Sequence, residues 1–134
     1  MKRRISLLLL GVIITSSISA YAADRKDLQE TKFTGWSYDG ELNKDTYYKD
    51  GKMIKNQWIN TNNSWYFLNV DGAKVTGWQN LNNSWYYFDT EGNMETGWVR
   101  DISGKYYYLN SNGTMAHDTT IDGYQIGSDG AWIK

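Results

Sequence analysis

The sequence returns on itself at a fixed interval. Trp36, Trp58, Trp78 and Trp98 stand 22, 20 and 20 residues apart, and Trp65, Trp85 and Tyr106 stand 20 and 21 apart. Gly51, Gly72, Gly92 and Gly113 follow at 21, 20 and 21. Three independent markers keep one period, so the chain is a repeat array. A unit this short cannot bury an apolar face alone, and neighbours must stack to do it.

Inside a unit the pattern is strand and turn. In "SWYYFD", Trp85 and Tyr87 fall on one face and Tyr86 and Phe88 on the other, because side chains alternate along a strand. Asn62-Asn63 and Asn82-Asn83 precede the aromatic runs, where a two-residue hairpin turn with positive φ favours Asn, and Ser103-Gly104 takes their place in the next unit. A second turn follows at Asp50-Gly51, Asp71-Gly72, Glu91-Gly92, Asn112-Gly113 and Asp129-Gly130. No segment holds a 3.6-residue apolar period, so essentially no helix is expected outside the leader. The expected fold is all-β: about four to five hairpins over residues 34–134, stacked into a solenoid. The ends depart from the pattern. "GWSYDGELNKDTYYKDG" is long and lacks a Trp before Tyr47-Tyr48. Thr119 stands six residues after Gly113, the spacing of Trp78 and Trp98 from their glycines, and "IDGYQIGSDGAWIK" reads as a shortened unit.

The N-terminus reads as an export signal. Lys2, Arg3 and Arg4 precede an apolar run from Ile5 to Ile14, and Ala20-Tyr21-Ala22 forms a cleavage site, which makes residues 1–22 a signal peptide. The run is too short to span a bilayer, for which roughly 20 apolar residues are needed. Cleavage would remove three of the 14 basic residues and none of the 15 acidic ones, leaving a net charge of −4. An acidic exported chain is a poor partner for nucleic acid and has no basic helix for membrane-surface binding. With no cysteine, the fold must hold by packing rather than disulfides. Residues 23–33 are too few to form a domain, so the array is expected either to stand alone or to be a fragment-sized protein of its class.

Catalytic chemistry has little material. His117 is the only histidine and there is no Cys, which leaves no basis for a His-driven nucleophile or a zinc site. Turn formation accounts for Asp71 and Asp129, and "DTEGN" at 89–93 lacks the ligand spacing of a calcium loop. No enzyme activity, cofactor or metal is expected.

The pattern Gly-Trp, six residues, Trp-Tyr-Tyr or Trp-Tyr-Phe, three residues, Asp-Gly or Glu-Gly resembles the cell-wall-binding repeats of Gram-positive choline-binding proteins. The likeness covers Thr34 to Lys134 and is strongest in "TGWQNLNNSWYYFDTEGNMETGW". The resemblance implies a left-handed β-hairpin solenoid, secreted to the cell surface. Its aromatic cages, between consecutive hairpins, would hold choline on teichoic or lipoteichoic acid. Carried over by motif, one cage is Trp58, Trp65 and Tyr86, a second Trp78, Trp85 and Tyr107, and a third Trp98, Tyr106 and Tyr124. Tyr87 or Tyr108 are alternatives to Tyr86 and Tyr107, and Met94 and Met115 would close the floors. Some members dimerise through terminal repeats, for which Trp132 is a candidate contact. Glucan-binding and toxin-type repeats share the aromatic-glycine theme, so an α-glucan or other glycan ligand is the alternative. A structural or signalling role through an exposed aromatic patch is the third class.

Three residues depart from the pattern. Gln57 replaces the glycine before Trp58, after a loop one residue longer than its counterparts. Lys74 stands where Met94 would be and should weaken the cage it lines, and Tyr106 replaces a Trp. By strand alternation alone, Tyr66, Phe67, Tyr86 and Phe88 read as packing residues.

Overall fold

The computed structural model describes residues 25–133, and the expected signal peptide at 1–22 lies outside the described residues. A short helix, α1 (Arg25–Glu30), precedes eleven strands. Its presence corrects the expectation of no helix. Six residues are too few to show a period, and one buried side chain, Leu28, docks it on the first hairpin. There Gly51 packs so closely that a Cβ would meet the Gln29 and Leu28 carbonyls at 2.8 and 2.9 Å.

The strands pair as successive antiparallel hairpins. The first is β1 (Gly35–Asp39) with β2 (Lys44–Lys49), extended by β3 (Lys52–Met53). Four two-stranded hairpins follow: β4 (Gln57–Thr61) with β5 (Ser64–Leu68), β6 (Gly77–Leu81) with β7 (Ser84–Phe88), β8 (Gly97–Arg100) with β9 (Tyr106–Leu109), and β10 (Thr119–Ile121) with β11 (Tyr124–Ile126). The described chain is therefore a β-hairpin solenoid. Asn62, Asn63, Asn82 and Asn83 all adopt positive φ, between 51° and 65°. The two-residue turns are thus those the sequence indicates. The β8–β9 loop differs: it is longer, and Asp101 Oδ1 gathers it by accepting from the Ser103 and Lys105 amides and the Ser103 hydroxyl.

The register explains two irregularities. Gly77 precedes Trp78 with φ 69°, whereas Gln57 before Trp58 is ordinary strand. The positive φ has moved one residue back to Asn56, whose N–H donates to the Asn69 carbonyl at 2.8 Å. That shift uses the extra residue and removes the need for glycine. Asp118 (φ 49°) does the same in the last unit, bonding Gly127. As a result Thr120, opposite Gln125, holds the place of Trp98, opposite Tyr108. The six-residue spacing that points to Thr119 is off by this inserted residue.

The core is a column, one residue per hairpin: Tyr48, Leu68, Phe88, Leu109 and Ile126, all 3% exposed or less. The last four end the second strand of their hairpins, and Tyr48 stands one residue before the end of β2. Aliphatic side chains thus supply more of the core than the ring-rich sequence implies. Burial of each contributes roughly 1.5–3 kcal/mol. Between hairpins the backbone makes one recurrent link. Lys74, Met94, Met115 and Trp132 each donate N–H, at 2.8 Å, to the carbonyl of Asp45, Trp65, Trp85 and Tyr106 respectively.

Candidate functional site

Strand pairing builds the site. Trp58 lies opposite Phe67, and Trp65 lies opposite Asn60 two residues along. The two indoles are therefore diagonal neighbours on one hairpin face, with centroids 6.4 Å apart and planes at 80°. The opposite face of the next hairpin brings Tyr86 to Trp58, at 4.9 Å. Met94 joins Trp58, Trp65 and Tyr86 around an open hollow of about 400 Å³.

The second junction repeats the arrangement. Trp78 and Trp85 are 6.4 Å apart at 83°, and Tyr107 faces Trp78 at 4.7 Å. Trp85 and Met115 share a hollow beside it. The tyrosine register is thereby resolved, because Tyr87 and Tyr108 pack on the tryptophan of their own hairpin, at 5.0 Å from Trp78 and 5.4 Å from Trp98. The tyrosines that reach across are Tyr66, Tyr86, Tyr107 and Tyr124.

At the third junction Trp98 and Tyr124 are 5.5 Å apart. Trp132 stands 5.9 Å from Tyr106 and 5.4 Å from Tyr124. These four rings line a hollow of about 250 Å³. Sequence reasoning did not place Trp132 in a cage. The register signal was there, since Trp132 follows Gly130 by two residues, as Met94 and Met115 follow their glycines. The structure places it in their column, bridging Ile126 as Met115 bridges Leu109.

The outer walls are open to solvent: Trp65 is 47% and Trp85 44% exposed. Asp101 adds charge to the second junction. Burial pushes its carboxyl up, but the bonds from the Ser103 hydroxyl, the Lys105 and Ser103 amides and the Trp78 side chain outweigh that and hold it below the usual carboxylate value. For Tyr107, burial and then the Asp101 charge push the phenol up. A neutral hydroxyl and an ionised carboxylate thus flank this cage near neutral pH.

The residues set aside for catalysis have turn and surface roles. Asp89 accepts from the Glu91 and Asn93 amides, and exposed His117 pairs with Asp118 at 2.8 Å. Among the described residues no group of three His, Cys, Asp or Glu side chains converges to hold a metal.

The chain matches known repeats on both sequence and shape. The pattern of the choline-binding repeat matches residues 75–119, and that of a cell wall binding repeat matches 56–74. Choline-binding protein F of Streptococcus pneumoniae is 38% identical, with a TM-score of 0.68 over 76% of this chain and 34% of that one. It has also been crystallised in the presence of a peptidoglycan analogue. The choline-binding domain of Spr1274 from the same organism is 40% identical, with a TM-score of 0.55 over 60% of this chain and 96% of that domain. Truncated alternansucrase of Leuconostoc mesenteroides is 27% identical, with a TM-score of 0.66 over 75% of this chain and 10% of that one. The chain spans about a third of the length of choline-binding protein F. No curated protein sequence matches it.

Proposed function

Because the chain belongs to the choline-binding repeat family, we propose that its three junction cages each hold a choline headgroup. They would attach it noncovalently to choline-bearing teichoic or lipoteichoic acid on a Gram-positive cell surface after export. Repeats of this family bind cell-wall choline. The observation that supports the reading here is the recurrence of one geometry, with a tyrosine from the following hairpin 4.7–5.5 Å from the tryptophan of the preceding one.

The chemistry follows from the ligand. A quaternary ammonium has no N–H to donate, so recognition comes from ring faces that desolvate its methyls and attract its charge. Each ring contributes roughly 0.5–2 kcal/mol, so a single cage binds on the order of millimolar once association costs are met. A polymer that displays many cholines turns several such cages on one solenoid into tight attachment. The role is binding and not catalysis.

The likeness to alternansucrase keeps a glycan reading as the alternative. Sugars stack on aromatic faces but need polar groups to grip hydroxyls. The third hollow is walled by four aromatic side chains, which favours the cation. The test is retention of the chain on a choline-bearing resin. Elution by free choline and not by glucan oligosaccharide is expected; passage through the resin unretained, with retention on a glucan matrix, would reverse the assignment.

A further inference from the structure

A fourth junction, between the first two hairpins, has the same frame. Trp36 and Tyr66 stand 4.9 Å apart, the separation of Trp58 and Tyr86. Two positions differ. Asp45, opposite Tyr38, fills the register place of Trp65, opposite Asn60. Lys74 fills the place of Met94 and Met115, bridging Leu68 as they bridge Phe88 and Leu109.

The two replacements answer each other. Lys74 Nζ lies 2.9 Å from Asp45 Oδ2, 4.9 Å from the centroid of Trp36 and 5.9 Å from that of Tyr66. Its side chain is only 16% exposed. An exposed lysine–aspartate pair would be a minor surface contact. Here, by contrast, the ammonium is sheltered against two ring faces, the environment that suits a cation.

We infer that this junction is a cation cage that carries its own ligand: the Lys74 ammonium occupies the place a choline headgroup takes in the other cages. The inference rests on the reading that those cages bind choline. The array therefore presents three sites to the polymer and keeps a fourth closed. Replacing Lys74 with Met, the residue at this place in the next two units, removes the internal cation and keeps the floor. Asp45 would remain as an anionic wall, open enough to solvent to stay hydrated, and Trp36 and Tyr66 would be free to receive a trimethylammonium group.

Two measurements on the full chain test this. In equilibrium dialysis with choline, Lys74→Met should bind one more equivalent than the unmodified chain, four rather than three. An unchanged stoichiometry in a folded variant would overturn the inference. The second readout does not involve choline. The Lys74 ε-methylene protons should resonate upfield of those of the other lysines, and Trp36→Leu should remove the shift. An unshifted ε-methylene would overturn the closed cage even if choline binds elsewhere. A shifted one, with no choline bound by either protein, would preserve it and sink the functional reading instead.

Discussion

The backbone N–H of Met115 donates to the carbonyl of Trp85 across 2.8 Å. A wall of the second cage is therefore also the joint that fastens one unit to the next. The same bond joins Met94 to Trp65 and Trp132 to Tyr106. Stacking and cage geometry are set together, so the solenoid cannot shift its hairpins without opening its sites.

The side chains on these joints nonetheless separate stability from binding. Leu109 is fully buried, whereas Trp85 is 44% exposed. Leu109→Ala should cost about 2–5 kcal/mol in urea unfolding. Trp85→Ala should cost less than ~1 kcal/mol of stability while lowering choline affinity at its site by roughly tenfold. Equal losses of stability in the two variants would contradict the division into core column and cage wall.

Gly113 couples the two. It has φ 85°, and a Cβ there would collide with the Met94 sulfur and methyl. Gly113→Ala is expected to destabilise the chain by roughly 1–3 kcal/mol, through backbone strain and displacement of Met94. It should also disturb the Trp58–Trp65 cage, two units earlier in the chain, because Met94 lines that hollow. Thermal unfolding reads the first effect and choline stoichiometry the second.

Asp101 gives the acid response a sign. Its carboxyl is held below the usual value of 3.8 in the folded chain. The stability it contributes is present above that value and lost as pH falls through the lowered folded-state value. Asp101→Asn should flatten the acid limb of a stability-versus-pH curve below about pH 4 and loosen the β8–β9 loop. An unchanged limb would show that the Asp101 carboxylate does not hold this loop.

The sequence made the hairpins and their turns legible because both leave local marks. Asn82-Asn83 can be read as a positive-φ pair without knowledge of the fold. The ring groupings at Trp58 and Trp78 came from the resemblance, carried over by motif, and not from the spacing alone. What escaped was non-local or displaced. The α1 helix is held by Leu28 against a hairpin its own sequence does not announce. Thr119 was misplaced because Asp118 supplies an inserted residue that only pairing reveals. Trp132 was offered as a dimer contact, and its place beside Tyr106 and Tyr124 escaped because its ring reaches them across a turn. Lys74 was recognised as foreign to its column, but its partner Asp45 lies 29 residues earlier, and composition gives no hint that the two meet.

Intrinsic tryptophan fluorescence decides whether the tryptophan cages take a quaternary ammonium. Titration with choline should give a saturable change in the millimolar range. Tetramethylammonium should reproduce it, isomaltose-type oligosaccharide should not, and Trp85→Ala should blunt it. A silent choline titration alongside a saturable response to the sugar would rule out choline as the ligand and leave the same solenoid as a glycan-binding array.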